Sequence, residues 1–163
     1  MKGLADTPFD LNLKLASFDI SNMYTSITTK ELLKIMDIMC VRHNIYDTLE
    51  HIILRISKLL VTQNCFKFRD TTYLQEKGLA IGAPTSSIFS ETYLQYIEKT
   101  IIFDILRSSK VEGYFRHVDE ILIGYKEKHT DIEEILNVSR TGLLNCLNAL
   151  SRGLTFRHRA SCI

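Results

Sequence analysis

The sequence contains no tryptophan, only two prolines and seven glycines among 163 residues. No stretch is rich in serine, glycine or proline, which argues against a flexible linker or a disordered segment. The chain has 45% apolar and 24% charged residues, enough apolar material for a two-layer core. We therefore expect a single globular domain over residues 1–163.

Long apolar runs are also absent, since none approaches the about 20 residues that cross a bilayer. The four cysteines form no CxxC pair, so reduced thiols are expected. Joining Cys40 and His43 to His158 and Cys162 would supply the usual zinc ligands, but the two pairs lie far apart in sequence and zinc is disfavoured. We expect a soluble intracellular protein, nuclear or cytoplasmic, with no membrane partner.

The sequence has no excess of charge of either sign, because its formal net charge is only +1. This balance argues against a domain that binds nucleic acid through its overall positive charge alone. A domain that supplies chemistry while neighbouring regions hold a nucleic acid remains compatible with it.

The pattern of apolar residues predicts secondary structure along most of the chain. Alternation favours strands and a four-residue repeat favours helices, and Thr28 with Glu31 has the spacing of a capping box. In chain order we predict a strand from Leu13 to Ile20, a helix from Thr28 to about Val41, a helix from Asp47, a β-hairpin from Asn64 to Gln75, a long helix from Ser86 to Arg107, two strands with a tight turn from Tyr114 to Tyr125, and a helix from Thr130.

This order predicts an α+β fold, with helices packed on one face of an antiparallel sheet. In the first helix we expect Leu32, Ile35, Met36 and Met39 to point inward. In the long helix, apolar and aromatic residues recur at every fourth position, namely Phe89, Tyr93, Ile97, Ile101 and Ile105. A further amphipathic pattern follows Leu143, Leu144, Leu147 and Leu150.

Three acidic residues stand at predicted strand ends and turns. Asp19 ends the first strand, and Asp119 and Glu120 occupy the turn between the last two strands. Carboxylates brought together from separate strands are what two Mg²⁺ ions require when they drive nucleotidyl transfer to a 3′-hydroxyl. Taken singly, such acids are more often solvated caps or turn formers.

Three ordered motifs carry a resemblance to a known family. The stretch SFDISNMYTSI, with Asp19 and Tyr24, resembles the first catalytic motif of Penelope-like reverse transcriptases, which are telomerase-related. The stretch QEKGLAIGAPTSSIFSETYLQYIE resembles the family's substrate and template loop with its following helix. The stretch YFRHVDEILIGY is similar to the Tyr-Val-Asp-Asp hairpin, and LNALSRGLTF more weakly resembles the segment after it.

The resemblance implies an RNA-directed DNA polymerase palm that acts on an RNA or DNA template-primer and deoxynucleoside triphosphates. Its metals would be two Mg²⁺ ions, with Mn²⁺ as the alternative, held by Asp19, Asp119 and Glu120 as the catalytic residues. The residues implied in substrate binding are Tyr24, Gln75, Gly78, Gly82, Pro84, Ser86 and His117.

Two positions depart from the family's hairpin motif. His117 stands where the family has Tyr, and Glu120 stands where it has the second Asp. The family's fingers and thumb have no counterpart in the resemblance, so we expect a palm fragment of a retroelement protein that extends primers poorly by itself. The alternative is a non-catalytic, retroelement-derived domain that binds nucleic acid or protein.

Overall fold

The computed structural model describes residues 13–128, 137 and 155–159. These residues belong to two compact units. The first contains residues 13–21, 98–128, 137 and 155–159, and the second contains residues 22–97. That residues 1–163 form a single domain remains a prediction.

The first unit is built on a four-stranded antiparallel sheet. Its strands are β1 (Lys14–Ser21), β4 (Gly113–His117), β5 (Glu120–Tyr125) and β6 (Thr155–Arg159), and their spatial order is β4-β5-β1-β6. Strand β1 therefore has a hydrogen-bonded neighbour on both sides, and its register with β5 places Phe18 opposite Ile121.

One face of this sheet forms the core of the first unit. The alternate residues Ala16, Phe18 and Ile20 of β1 are buried, and so are Ile121 and Ile123 of β5. Because successive side chains of a strand point to opposite faces, the alternation that predicted β1 also decides which residues lie on the other face.

A buried polar network fixes β4 to the helical part of the first unit. The Arg116 guanidinium forms an ion pair with the Glu98 carboxylate, in which Nη2 lies 3.2 Å from Oε2, and the Tyr114 hydroxyl donates to Glu98 Oε1 at 2.7 Å. The Tyr114 ring also meets the Phe103 ring edge to face, with centroids 5.9 Å apart. Burial beside the Glu98 carboxylate raises the pKa of Tyr114 well above its ordinary value.

The second unit contains four helices and a two-stranded hairpin. The helices are α1 (Met23–Ser26), α2 (Thr29–Arg42), α3 (Asp47–Thr62) and α4 (Ser86–Ile97). The Thr28 hydroxyl caps α2 by accepting a hydrogen bond from the Glu31 backbone N–H at 3.3 Å. This confirms the predicted start of α2.

Only half of the expected capping box forms, however. The Glu31 carboxylate is 4% exposed, and neither of its oxygens has a hydrogen-bond partner among the described residues. Leu32 and Ile35 are buried as predicted, whereas Met36 and Met39 are half-buried.

Helix α3 exposes the apolar face that its sequence pattern defines. Its fully buried residues are Ser57 and Val61, while Leu49, Ile52, Ile56, Leu59 and Leu60 are between 43% and 51% exposed. The hairpin of β2 (Cys65–Phe68) and β3 (Thr71–Leu74), which confirms the prediction for 64–75, is exposed along both strands.

The backbone is helical from Ser86 to Ser108, as predicted, but in three consecutive segments. A π-helical segment, Glu98–Ile102, separates α4 from α5 (Phe103–Ser108). A π turn holds one extra residue, so the buried positions pass from Ile97 to Ile102 and Leu106. Ile101 and Ile105, which continue the four-residue repeat of the sequence, are only half-buried.

The α+β class is confirmed by these elements, which combine helices with antiparallel sheets. The predicted helix from Thr130 and the pattern of Leu143 to Leu150 lie outside the described residues. Across the described part of the chain, no helix combines the length and apolar character needed to cross a membrane.

Candidate active site

Asp19 and Glu120 face each other directly across two neighbouring strands. In the register of β1 with β5, Asp19 pairs with Glu120 and Phe18 pairs with Ile121. Opposed residues of an antiparallel pair lie on the same face, with Cβ atoms about 5 Å apart. Phe18 and Ile121 occupy the buried face, so Asp19 and Glu120 share the opposite face.

Asp119 occupies the tight turn that precedes Glu120. Its carbonyl oxygen accepts a hydrogen bond from the Ile20 backbone N–H at 3.0 Å. This bond ties the turn to the end of β1 that carries Asp19. Three acidic residues are thereby held at one end of the sheet, on two adjacent strands and the turn between β4 and β5.

The turn has an unusual backbone at Val118, whose φ is 57°. A β-branched residue in this left-handed region is rare, because its side chain collides with its own backbone. Strain of this kind persists where the surrounding structure enforces it, and it is enriched at functional sites. The sheet and the bond from Ile20 to Asp119 enforce it here.

Two further residues share the row of Asp19 and Glu120 across the sheet. His117 of β4 is in register with Glu120, and Arg157 of β6 is in register with Asp19. The family resemblance implied a role in substrate binding for His117, but it gave no role to Arg157. Its position beside Asp19 depends on β6 pairing with β1, which no local pattern predicted.

The donor set suits Mg²⁺ better than a metal that needs a complete protein cage. Among the residues described, no three His, Cys, Asp or Glu side chains are grouped closely enough to hold a metal by themselves. Mg²⁺ usually takes one or two carboxylates and completes its octahedron with water and substrate phosphates. Asp19 and Glu120, which are opposed across β1 and β5, are carboxylates of the type that such an ion uses, and a metal site at these residues and Asp119 remains a prediction.

In the second unit, a loop that carries two predicted residues is fastened to α1. The Gln75 amide donates to the carbonyl oxygens of Lys77 at 2.9 Å and Leu79 at 3.1 Å. The Leu79 N–H donates in turn to the Tyr24 carbonyl at 2.7 Å. The structure thus brings Gln75 and Tyr24 together through the backbone of residues 77–79.

Gly78 allows this close approach. Its φ is +77°, and a Cβ built there would lie 2.5 Å from the Thr25 Cα. The immediate reason for glycine at position 78 is therefore contact with the chain's own backbone.

Gly82 differs, because a Cβ built there would meet nothing within 4 Å among the described residues, although its φ is +90°. Pro84 is exposed, and Ser86 is buried at the first position of α4. Gly82 thus leaves open space for a ligand to approach, while Ser86 is enclosed. The roles of these residues in substrate binding remain predictions.

No pattern in the sequence predicted the network of Tyr114, Arg116 and Glu98 that holds β4. Glu98 and Arg116 are 18 positions apart and belong to different elements. The only local signal was the alternation of β4, which places Arg116 on the face opposite its neighbour His117. The network positions the strand that leads into the acidic turn.

Comparison with known proteins gives a likeness of fold. No model of a protein family matches the chain, and no curated protein matches it. Among solved structures, it is similar to telomerase from Candida albicans in complex with a fragment of telomeric RNA, with a TM-score of 0.60 and 16% identity. The match covers 97% of this chain and 29% of the telomerase chain, so this chain spans less than a third of that protein. The fold of this chain is therefore similar to that of a region of the telomerase chain.

Proposed function

We propose that this protein is the palm of a reverse-transcriptase-like polymerase, which transfers nucleotides to a primer 3′-hydroxyl with two divalent metal ions. The observation that carries the proposal is the register of Asp19 with Glu120 beside the hydrogen-bonded turn at Asp119. The similarity of fold to telomerase supports it, because that telomerase structure is a complex with a fragment of telomeric RNA.

The acidic residues have distinct parts in the proposal. Asp19 and Asp119 hold the metals, and Glu120 assists from the position directly opposite Asp19. When bound, the metals activate the attacking oxygen and stabilise the departing pyrophosphate. The contribution of the chain itself is to fix two of the carboxylates on paired strands and the third in the adjoining turn, so that little reorganisation accompanies the reaction.

The substrate side of the proposal rests on the second unit. Tyr24, anchored through its carbonyl to Leu79, is proposed to contact the sugar of the incoming deoxynucleoside triphosphate. Gly82, with open space at its α-carbon, is proposed to let the loop approach the template-primer. Gln75 and Gly78 shape that loop, while Pro84 and Ser86 lead it into α4. His117 is proposed to lie near the primer end.

Metal binding is tested by calorimetric titration of Mg²⁺ and Mn²⁺ into the purified chain. We expect binding to be lost in Asp19→Asn and in Asp119→Asn. Glu112→Gln is the matched control, because Glu112 pairs with Lys126 at 3.7 Å and lies away from the acidic turn. Equal binding by all four proteins would refute the metal site.

Polymerisation is tested by primer extension on an RNA template with Mg²⁺ or Mn²⁺. The proteins compared are the chain itself, the double variant Glu120→Asp with His117→Tyr, and Asp119→Asn. We expect weak extension that the double variant does not restore and that Asp119→Asn abolishes. Metal binding without any extension, together with binding of nucleic acid, would favour the non-catalytic alternative.

A further inference from the structure

A groove of about 660 Å³ lies between α2 and α3 within the second unit. Its floor contains Leu33 and Leu54, one from each helix, and both are half-buried. Its rim is formed by charged side chains, Lys34 and Asp37 from α2 with Arg55 and Lys58 from α3. The groove therefore combines a narrow apolar floor with a mainly cationic rim.

The basic residues of α3 that line the groove are arranged on one face of the helix. His51, Arg55 and Lys58 follow one another at intervals of four and three residues, which places them on successive turns. They extend over about 10 Å at 1.5 Å per residue. Lys34 adds a further cation from the facing helix.

These cations are not neutralised by ion pairs within the described part of the chain. None of Lys34, Arg55 and Lys58 takes part in a salt bridge there. Asp37 is the single carboxylate among the lining residues. Three basic side chains thus face solvent across one groove with one lining carboxylate.

We propose that the groove between α2 and α3 binds the phosphodiester backbone of a nucleic-acid strand. Arg55 and Lys58 lie about 4.5 Å apart along the axis of α3 at 1.5 Å per residue, and one strand of a duplex presents a phosphate about every 3.4 Å along its axis. The two cations are therefore spaced to contact neighbouring phosphates of one strand. The guanidinium of Arg55 matches phosphate geometry with two parallel hydrogen bonds.

The groove binds without reading sequence. Its floor offers aliphatic carbon and no aromatic ring on which a base stacks, and contacts to phosphates position a nucleic acid without specifying its bases. This function goes beyond nucleotidyl transfer and does not depend on the acidic site of the first unit. It supplies local positive charge in a chain whose net charge is only +1.

The test is fluorescence anisotropy with a labelled single-stranded RNA of mixed sequence, at several salt concentrations and without divalent metal. The variant removes two groove charges, Arg55→Gln with Lys58→Gln. The matched control removes two exposed charges outside the groove, Lys99→Gln with Arg107→Gln. Thermal unfolding of each protein verifies that the helices remain folded.

We expect the groove variant to bind roughly tenfold more weakly, and its salt slope to fall by about 1.4, which is about 0.7 for each lost phosphate contact. The control pair should retain the original affinity and slope. An equal loss in both variants, or a loss in neither, would overturn the proposal.

Two further arms distinguish the groove from the acidic site and from binding of other anions. Arg55→Gln with Lys58→Gln should retain the Mg²⁺ binding of the original chain in the calorimetric titration, so failure of the polymerase proposal and failure of the groove proposal remain distinguishable. Inorganic phosphate and an acidic peptide serve as competitors. If inorganic phosphate displaces the RNA at a concentration matched in charge, the groove binds single anions instead. If the acidic peptide displaces it, the groove binds a protein segment instead.

Discussion

Asp19 of β1 and Glu120 of β5 are directly opposed in an antiparallel pair, on the face away from the buried Phe18. Like charges in this arrangement repel, and the repulsion costs about 0.2–1 kcal/mol of stability. A bound divalent cation reverses the balance, because it is attracted to both carboxylates. The same pair is therefore expected to destabilise the sheet without metal and to bind metal when it is available.

The first prediction concerns this repulsion. Asp19→Asn and Glu120→Gln should each raise the free energy of unfolding by about 0.2–1 kcal/mol in buffer free of divalent metal. Added Mg²⁺ should stabilise the original protein more than either variant, since ligands stabilise the state that binds them. Urea unfolding with EDTA and with Mg²⁺ measures both effects.

Glu127→Gln is the control for that experiment, because the Glu127 carboxylate lies 2.7 Å from the Lys14 ammonium. Its loss should bring no stabilisation. If Glu127→Gln stabilises as much as Glu120→Gln, general surface charge rather than the opposed pair accounts for the result.

The second prediction compares two glycines in one loop. Gly78→Ala should destabilise the protein by about 3 kcal/mol or more, because a left-handed backbone and a collision with the Thr25 backbone add together. Gly82→Ala should cost only about 1 kcal/mol, the backbone term alone. Chemical denaturation measures the difference, and equal costs would show that the contact with Thr25 is not tight.

The third prediction follows from the raised pKa of Tyr114, which burial and the Glu98 carboxylate produce. Above about pH 10 the unfolded tyrosine loses its proton, whereas folded Tyr114 keeps it. The unfolded state then binds fewer protons, so stability falls as pH rises. Tyr114→Phe should reduce this alkaline slope by roughly 1 kcal/mol per pH unit.

Urea unfolding from about pH 8 to about pH 11 measures that slope. At neutral pH the same variant should lose about 1 kcal/mol, the hydrogen bond from the hydroxyl to Glu98. Tyr46→Phe is the matched control, since Tyr46 is 84% exposed. A parallel change in both variants would show that burial of Tyr114 is not the cause.

The fourth prediction concerns the strained turn before Asp119. Val118→Gly should stabilise the protein by about 1 kcal/mol, because glycine adopts a φ of 57° without the collision that valine suffers. Val111→Gly, at a position without positive φ, should instead destabilise. If Val118→Gly proves destabilising, the turn does not hold the left-handed conformation in solution.

Local chemistry predicted a large part of the fold. The alternation around Phe18 identified β1, the threonine at position 28 marked the start of α2, and the tight turn at Asp119 was recognised from the acids between two β-branched runs. These features depend on residues a few positions apart. Propensity and periodicity describe such short distances well.

Contacts between segments that are distant in sequence could not be predicted from local patterns. The π turn at 98–102 moved the buried stripe from Ile101 to Ile102, and Glu31 was buried without completing its capping box. The pairing of β6 with β1, which sets Arg157 beside Asp19, is likewise invisible to a local pattern. Each outcome depends on which surface packs against an element.

The sequence by itself determined the order of the longer helices and of the strands from β1 to β5, and the chemistry available at each turn, because hydrophobic periodicity and capping act within one or two helical turns. Tertiary structure alone decided that Asp19 stands opposite Glu120, that the apolar face of α3 is exposed, and that Arg55 and Lys58 line a groove. Strand register and helix packing join residues far apart in the chain. Their free energies come from the whole buried surface and not from any single segment.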